Sequence, residues 1–349
     1  MKIALQAVAL LLALGTFLPL VRKDTWMIRG WDFPRLQLFF FGIATLAGLF
    51  FAGIDINSVD WVPLVLLATA TASLAAWMWP YTRFAGRQVS SSAGNDPSIT
   101  LLVSNVLMSN RESEKLIDLA RSRMPDVLVA LETDRWWTDE LAKLHETHPH
   151  CVEVPQEDTY GMVLRSRLPL IDPRIEHLIQ EHIPSIHFSV ELGSGDRVQL
   201  HAIHPKPPFP DEDDTSTDRD AELLVVAKRV SGHDGPVIVL GDLNDVAWSH
   251  TTTLFQKVSG LLDPRIGRGF FSTFHAGHWW MRWPLDHVFV SRHFRVHSIE
   301  RLRSIGSDHF PMFAALTYEP EKRSEQPKPA TNGAEEREVA RKIAKAGDS

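Results

Sequence analysis

The sequence predicts a mixed α/β domain of about 220 residues that follows three membrane-spanning helices. Two observations support this prediction. Apolar residues are crowded into the N-terminal part of the chain, whereas most of the charge lies after Asp96. Beyond that point β-like and helix-like segments alternate. Runs such as LLVSN, VLVALE and VIVLGD suit central strands that are covered on both faces.

Three N-terminal runs are free of charge and long enough to cross a bilayer, which takes about 20 apolar residues. They are Ile3–Val21, Leu36–Ile54 and Trp61–Trp79. Tryptophans near their ends suit the membrane interface. A cleaved signal peptide is the alternative for the first run. Its length and the lack of a small-x-small cleavage site before Arg22 favour an anchor.

Basic residues in the loops predict the orientation of these helices. One side of the membrane would carry six of them: Arg22, Lys23, Arg29, Arg35, Arg83 and Arg87. The other side carries Lys2, and its short loop contains Asp55 and Asp60. The positive-inside rule therefore predicts a multi-pass protein of the cell membrane with its C-terminal domain in the cytoplasm.

Composition divides the chain into four regions. These are a membrane region at 1–88, a polar linker at 89–97, the mixed α/β domain at 98–319 and a tail at 320–349. The tail is rich in Glu, Lys, Arg, Pro and Ala, which predicts disorder with one exposed helix near Glu335–Lys345. The formal net charge of -7 does not suggest a protein that coats nucleic acid. Cys151 is the only cysteine, so an internal disulfide is excluded.

Within the mixed α/β domain at 98–319, periodicity and turn residues predict the main elements. Strands are expected at Ile99–Asn105, Asp126–Glu132, Gly161–Leu164, Ile186–Leu192, Arg197–His204, Pro236–Leu240, Leu285–Ser291 and Phe313–Tyr318, and helices at Glu112–Arg123 and Asp218–Val230.

Polar side chains interrupt the apolar runs where these strands begin or end, which is where α/β enzymes assemble their sites. Asn105, Glu132 and Asp308 offer hard oxygen ligands, which favour Mg²⁺ or Mn²⁺ over zinc. A group of carboxylates without a cation would repel one another. The three residues are therefore the predicted metal ligands.

The remaining site candidates suit catalysis at phosphorus. Asp242 and Asn244 lie two residues apart, so in an extended segment they project to the same side. Each residue taken alone is more often a turn former.

Histidines would supply positive charge or a proton at the same site. His204 and His309 are the candidates, and Asp286 could orient one of them. His201 is the alternative to His204, since two strand residues three positions apart face opposite sides.

Several short motifs occur in a characteristic order. They are SNV at Ser104–Val106, DVLVALE at Asp126–Glu132, YGMVLRS at Tyr160–Ser166, HPKPP after the histidine strand, GDLND at Gly241–Asp245, PLDHVFVS before Arg292 and SDHFP at Ser307–Pro311. Together they resemble the endonuclease/exonuclease/phosphatase superfamily, the fold of deoxyribonuclease I. Leu243 replaces the usual aromatic of the GDFN motif, and His287 replaces a tyrosine.

The resemblance covers about Ile99 to Tyr318 and implies a four-layer α/β sandwich with two mixed sheets packed face to face. It implies metal binding by Glu132, with Asn105 and Asp308 nearby. It also implies that Asp242 activates the nucleophile and that Asn244 orients the phosphate. His204 and His309 would stabilise the transition state, with Asp286 as the partner of His309. The three-span front end is similar to a bacterial membrane-attached branch of the superfamily, which implies the inner membrane.

The leading hypothesis is a metal-dependent phosphoesterase that hydrolyses a phosphomonoester or phosphodiester by in-line attack of water. The acidic loop PFPDEDDTSTD argues against long duplex DNA, so a nuclease acting on short or single strands is an alternative. The aromatic loop HAGHWWMRWP is either a packed core loop or a lid over a lipid-like or aromatic headgroup. A catalytically inactive, membrane-tethered binding module is the third hypothesis. Three spans without internal charge argue against a transporter.

Overall fold

The computed structural model describes residues 1–53, 59–94, 96–209 and 213–347. Parts of some predicted segments lie outside these ranges. They are Ile54 at the end of the second apolar run, Asp55 of the loop after it, Asn95 of the predicted linker, Pro210, Asp211 and Glu212 of the acidic loop, and Asp348 and Ser349 of the predicted tail.

Apolar helices form the N-terminal part of the described chain. They are α1 (Lys2–Phe17), the short α2 (Trp26–Arg29), α3 (Arg35–Phe51) and α4 (Trp61–Met78). Two stretches, Lys2–Val21 and Trp61–Tyr81, are long and apolar enough to cross a membrane. A third span exists if Trp26–Asp32 and Arg35–Phe51, which meet at 72°, count as one. Ala9, Leu49 and Leu67 from α1, α3 and α4 pack together in one apolar cluster.

The α/β domain that follows the apolar helices contains two sheets. Its strands are β1 (Ile99–Asn105), β2 (Val127–Leu131), β3 (His150–Val154), β4 (Met162–Ser166), β5 (Ile171–Glu176), β6 (Ser185–Glu191), β7 (Arg197–Ala202), β8 (Val237–Asp242), β9 (Asp286–Val290), β10 (Phe294–Arg301) and β11 (Met312–Tyr318). The first sheet has the strand order β10-β11-β1-β2-β4-β3, and the second has the order β5-β6-β7-β8-β9. Both sheets combine parallel and antiparallel pairs.

Alternation along the strands produces four layers. Leu101 and Val103 of β1 face Leu200 and Ile238 of the second sheet in the main core. The opposite faces are covered by helices, which are α5 (Ser113–Arg123) and α6 (Arg135–Leu141) on the first sheet, and α7 (Thr217–Val230) and α8 (His250–Ser259) on the second. The predicted four-layer α/β sandwich is therefore confirmed.

The prediction of a disordered tail is wrong for the described residues. A 3-10 helix covers Pro320–Glu325, and α9 covers Gly333–Gly347. The helix predicted near the end exists, but it is docked, because Val339 packs with Leu224 and Leu254. A narrow apolar stripe and specific ion pairs hold α9 against the domain. The average composition of the tail does not reveal either feature.

The predicted linker also differs from a free hinge. Val89 is fully buried in the main core. The backbone beside it pairs with β10, since the Val296 amide donates to the Ser90 carbonyl at 2.9 Å and the Ser92 amide donates to the Val296 carbonyl at 2.8 Å. The polar residues of this segment predict a turn. In the structure, backbone groups of the segment instead form hydrogen bonds with the edge strand β10.

Candidate active site

Strand ends from both sheets meet at one edge of the sandwich. β1 and β2 run parallel and end at Asn105 and beside Glu132, while β7 and β8 run parallel and end near His204 and at Asp242. The Asn105 Nδ2 donates to the Asp242 Oδ2 at 3.1 Å, which connects the two sheets at this edge. The parallel pairs explain why residues that are distant in sequence lie together.

Two glycines permit the close approach of backbone that this edge requires. Gly241 has φ +145°, and a Cβ there would lie 1.9 Å from the Ile203 carbonyl oxygen. At Gly161 a Cβ would lie 1.9 Å from the Thr133 carbonyl oxygen. No side chain fits at either position without a shift of the backbone next to Asp242 or Glu132.

Asp242 lies at the centre of the buried part of the site. Its Oδ2 is 3.5 Å from the His309 Nε2 and 4.0 Å from the His204 Nε2. Asp286 is paired with Asp242 across β8 and β9, and its Oδ2 is 2.8 Å from the His309 Nδ1. The ligand atoms of Asp242, Asp286 and His309 all lie within 4.8 Å of one another.

His309 is held in its charged form by these two carboxylates. Burial opposes the charge, but the carboxylates of Asp286 and Asp242 outweigh burial and raise the pKa of His309 to about 10. The site therefore contains a fixed cation beside the Asp242 carboxylate. Phe274 covers the imidazole, with ring centroids 5.0 Å apart.

Glu132 and Asp308 form a half-buried acidic pair beside this cluster. Burial raises the pKa of Glu132 to about 7, and the negative charges of Asp308 and Asp242 add to the effect. Glu132 has φ +60°, a left-handed conformation that turns it away from the line of β2. Carboxylates that repel one another and are partly exposed fit a hard divalent cation, which would relieve the repulsion.

Asn105 is oriented differently from the prediction that it ligates the metal through oxygen. Its Oδ1 accepts the Leu107 amide at 3.0 Å, and its Nδ2 donates to the Glu132 Oε1 at 2.6 Å. The backbone donor two residues on fixes the amide in this direction. In this arrangement Asn105 donates to the carboxylates of Glu132 and Asp242, and Glu132 and Asp308 remain as the carboxylates that could hold a cation.

The structure separates the two histidine alternatives. His204 follows the end of β7 beside Asp242, with its ring 5.8 Å from the Tyr160 ring. His201 lies on the other side of the sheet, where its Nδ1 is 2.7 Å from the Nδ1 of His187. His204 is thus the histidine that the strand brings to the site.

Asn244 lies at the rim, half-buried and in a left-handed conformation with φ +50°. Its backbone amide donates to the Asp242 Oδ1 at 3.0 Å, and its side-chain Nδ2 donates to the Pro205 carbonyl at 2.9 Å. The second hydrogen of Nδ2 remains for another acceptor. Arg219 of α7, which no sequence motif marks, donates to the Asn244 carbonyl at 2.8 Å.

Two further residues, Thr273 and Ser307, hold the backbone of the site and were not predicted from the sequence. The Thr273 Oγ1 accepts the Asp286 amide at 3.2 Å and so holds the start of β9. The Ser307 Oγ donates to the Asn105 carbonyl at 2.9 Å and accepts the His309 amide at 3.0 Å. Ser307 belongs to the SDHFP motif, which could have marked it, whereas Thr273 lies in an aromatic loop without any motif signal.

Comparison with solved structures gives the same fold. An endonuclease/exonuclease/phosphatase from Beutenbergia cavernae matches with a TM-score of 0.51 and 18% identity, over 64% of this chain and 72% of that chain. The human Nocturnin catalytic domain with bound sulfate matches with a TM-score of 0.51 and 17% identity, over 64% and 94%. D. rerio TDP2 complexed with a single strand DNA product matches with a TM-score of 0.51 and 16% identity, over 63% and 98%.

Comparison with curated protein sequences finds no match for this chain. The model of the Endonuclease/Exonuclease/phosphatase family matches residues 102–309, which include every candidate site residue named above. This match covers more than half of the chain and agrees with the fold. The chain therefore belongs to the endonuclease/exonuclease/phosphatase family.

Proposed function

We propose that this protein is a membrane-anchored, divalent-metal-dependent phosphoesterase that hydrolyses a phosphomonoester or phosphodiester. Members of its family are hydrolases that act on phosphoesters, and they generally use a divalent metal. One observation carries the proposal for this chain. The Asp242 carboxylate lies between two imidazoles, His204 and His309, with the acidic pair Glu132 and Asp308 alongside.

In the proposed reaction the Asp242 carboxylate orients a water molecule and accepts its proton as the water attacks phosphorus. The imidazolium of His309 and the imidazole of His204 stabilise the negative charge that develops on the phosphoryl oxygens. Asp286 holds the His309 ring through the 2.8 Å contact at Nδ1, so that Nε2 faces Asp242. The free hydrogen of the Asn244 amide binds a phosphoryl oxygen.

Glu132 and Asp308 are the residues that would hold the metal. When bound, Mg²⁺ or Mn²⁺ would neutralise charge on the phosphate and polarise the ester. Asn105 keeps the two sheets in register at the site by donating to both Glu132 and Asp242. We propose Mg²⁺ as the physiological ion because the ligand set consists of carboxylate oxygens.

The apolar helices are the proposed membrane anchor, with the catalytic domain in the cytoplasm of a bacterial cell. Lys2 pairs with Asp60 at one end of the helices, whereas Asp24 and Arg35 contact the catalytic domain at the other. This arrangement agrees with the positive-inside rule, since Arg22, Lys23 and Arg29 then lie on the side of the catalytic domain. Reporter fusions after Arg87 would test the orientation.

The experiment is the hydrolysis of bis-p-nitrophenyl phosphate by the purified full-length protein with Mg²⁺, with and without EDTA. We expect Asp242→Asn to lower kcat by about 10³-fold and EDTA to abolish turnover. Asp139→Asn is the matched control, because Asp139 is an exposed carboxylate of α6 paired with Arg135. No hydrolysis by the wild type, or equal rates for the two variants, would contradict the proposal. A single-stranded oligonucleotide tests the nuclease alternative in the same assay.

A further inference from the structure

Three loops that carry the candidate site are bound to the segment that runs from the end of α1 to the first turn of α3. We call residues 22–37 the interfacial segment. The loop after His204 pairs with it, since the Trp26 amide donates to the Asp214 carbonyl at 3.0 Å and the Ser216 amide donates to the Asp24 carbonyl at 2.7 Å. The edge of the sandwich that holds the site therefore faces the ends of the apolar helices.

The loop after Asp242 makes a second connection. The Trp248 Nε1 donates to the Asp32 carbonyl at 2.7 Å, and Arg35 donates to the Trp248 carbonyl at 3.1 Å. The hydroxyl of Tyr81, at the end of the last apolar helix, donates to the Ala247 carbonyl. Most of these groups are buried, so the contacts fix the position of this loop.

The loop before Asp286 makes the third connection, and it does so through aromatic rings. Phe33 packs edge-on against Trp283 with centroids 5.6 Å apart, and Trp283 stacks on Phe274 at 5.7 Å. Phe274 in turn contacts the ring of His309. Two stacked rings thus separate the interfacial segment from the charged imidazole of the site.

The tip of this loop exposes two large aromatic side chains. Trp279 is 80% exposed and Trp280 is 56% exposed, while the Trp280 carbonyl accepts a hydrogen bond from Gln37 at the start of α3 at 2.8 Å. Phe209, 50% exposed, lies on the opposite loop after His204. Tryptophan rings prefer the membrane interface, and adjacent exposed ones mark an interaction surface.

Two basic side chains lie on the ring of Phe310, and Arg282 belongs to the same loop as the exposed tryptophans. The guanidinium groups of Arg282 and Arg301 lie 5.2 Å and 4.4 Å from the ring centroid of Phe310, the residue after His309. Within the described ranges neither arginine forms an ion pair with a carboxylate. Positive charge beside exposed tryptophans complements an anionic bilayer surface.

We propose that the loop 275–284 enters the bilayer interface and that the site takes the phosphoester headgroup of a lipid in the same membrane. This inference rests on the proposed function and deepens it, because it names the substrate class. The hydrogen bond between Gln37 and the Trp280 carbonyl joins the loop to the start of α3, one of the proposed membrane helices. The bilayer is therefore the partner that this exposed aromatic surface would contact. The headgroup would reach Asp242 without the lipid leaving the membrane.

The first experiment compares two substrates on one preparation. The full-length protein is reconstituted in vesicles of phosphatidylcholine with a minority of phosphatidylglycerol. Lipid probes are phosphatidic acid, phosphatidylglycerol and undecaprenyl phosphate, which distinguish glycerolipid from polyprenyl sources. Bis-p-nitrophenyl phosphate is the soluble probe. We expect Trp279→Ser/Trp280→Ser to lower the ratio of lipid to soluble turnover by about tenfold. Ile175→Ser, an exposed apolar residue of β5 at the far edge, should not change it.

The second experiment measures insertion without relying on activity. An environment-sensitive fluorophore is attached at Trp279→Cys in a Cys151→Ser background, and quenching by brominated lipids is recorded. We expect strong quenching at position 279, and none at Ile175→Cys in the same background. An unquenched label, or an unchanged substrate ratio with soluble turnover intact, would overturn the inference and leave the phosphoesterase proposal standing. Absence of turnover on every probe would instead refute the phosphoesterase proposal.

Discussion

Replacing Lys342 with methionine tests how the C-terminal helix is attached. The Lys342 Nζ lies 2.7 Å from both the Asp220 Oδ2 of α7 and the Asp24 Oδ1 of the interfacial segment. Lys342 is only 4% exposed. Burial opposes its charge, but Asp220 and Asp24 outweigh burial and raise the pKa of Lys342. One ammonium therefore joins the tail, the catalytic domain and the membrane-proximal loop.

The size of the effect follows from what the substitution leaves behind. Removing one partner of a buried ion pair costs about 3–5 kcal/mol because the other charge stays buried. Asp220 keeps Arg219 at 2.7 Å and Asp24 keeps Lys345 at 2.8 Å, so the lower end applies, about 3 kcal/mol. Methionine preserves most of the side-chain volume. For a domain of this size the loss corresponds to a fall in Tm of roughly 6–12 °C.

Lys345→Met is the matched control, since Lys345 also pairs with Asp24 but its side chain is 54% exposed. Its loss should change stability by about 0.5 kcal/mol or less. The assay is thermal unfolding of the full-length protein in detergent, followed by near-UV circular dichroism, together with limited proteolysis of the tail. Equal Tm values for the two variants, or a Lys342→Met tail as resistant as the wild type, would refute this reasoning.

Three further predictions concern the site and its sheet. Asp286→Asn should lower kcat by about 10–100-fold with little change in KM, because the introduced amide no longer fixes the ring of His309. Steady-state kinetics measured beside the Asp139→Asn control checks this prediction, and an unchanged kcat would count against it. Gly241→Ala should abolish measurable hydrolysis and lower Tm, since its Cβ would overlap a carbonyl oxygen 1.9 Å away; normal kinetics would contradict the geometry. Burial lowers the pKa of His187 to about 4 and of His201 to about 3. Both are neutral when folded, so stability is full above pH 6.5 and falls as the pH drops towards 4, by about 3 kcal/mol from His187 alone. Denaturant titrations across that range should show a smaller loss for His187→Asn, and equal losses would refute the assignment.

Much of the fold and the site could be predicted because their signals are local. β1 occupies Ile99–Asn105 as predicted, since a largely apolar run ending in a polar residue indicates a central strand. The strand ends then collect Asp242, His204 and His309 at one edge. Edge strands were harder to predict. Ile171–Glu176 and Phe294–Arg301 alternate poorly and contain charged residues, so their pattern resembles that of loops.

Other features could not be predicted because they depend on contacts between distant segments. The docking of α9 requires Lys342 to reach Asp24, which is distant in sequence. The orientation of the Asn105 amide depends on the Leu107 backbone donor and on two carboxylates from other strands. The attachment of the interfacial segment to the catalytic loops also has no sequence signal, because its hydrogen bonds end on backbone carbonyl groups.

The most direct test of the central claim is a Mn²⁺ titration of the full-length protein, with free ion measured by electron paramagnetic resonance and hydrolysis measured on the same samples. We predict saturable binding, with turnover that rises with occupancy. Glu132→Gln should lose both, whereas Asp242→Asn should keep the binding and lose the hydrolysis. Binding that survives Glu132→Gln unchanged, or full hydrolysis in metal-free protein, would contradict the account.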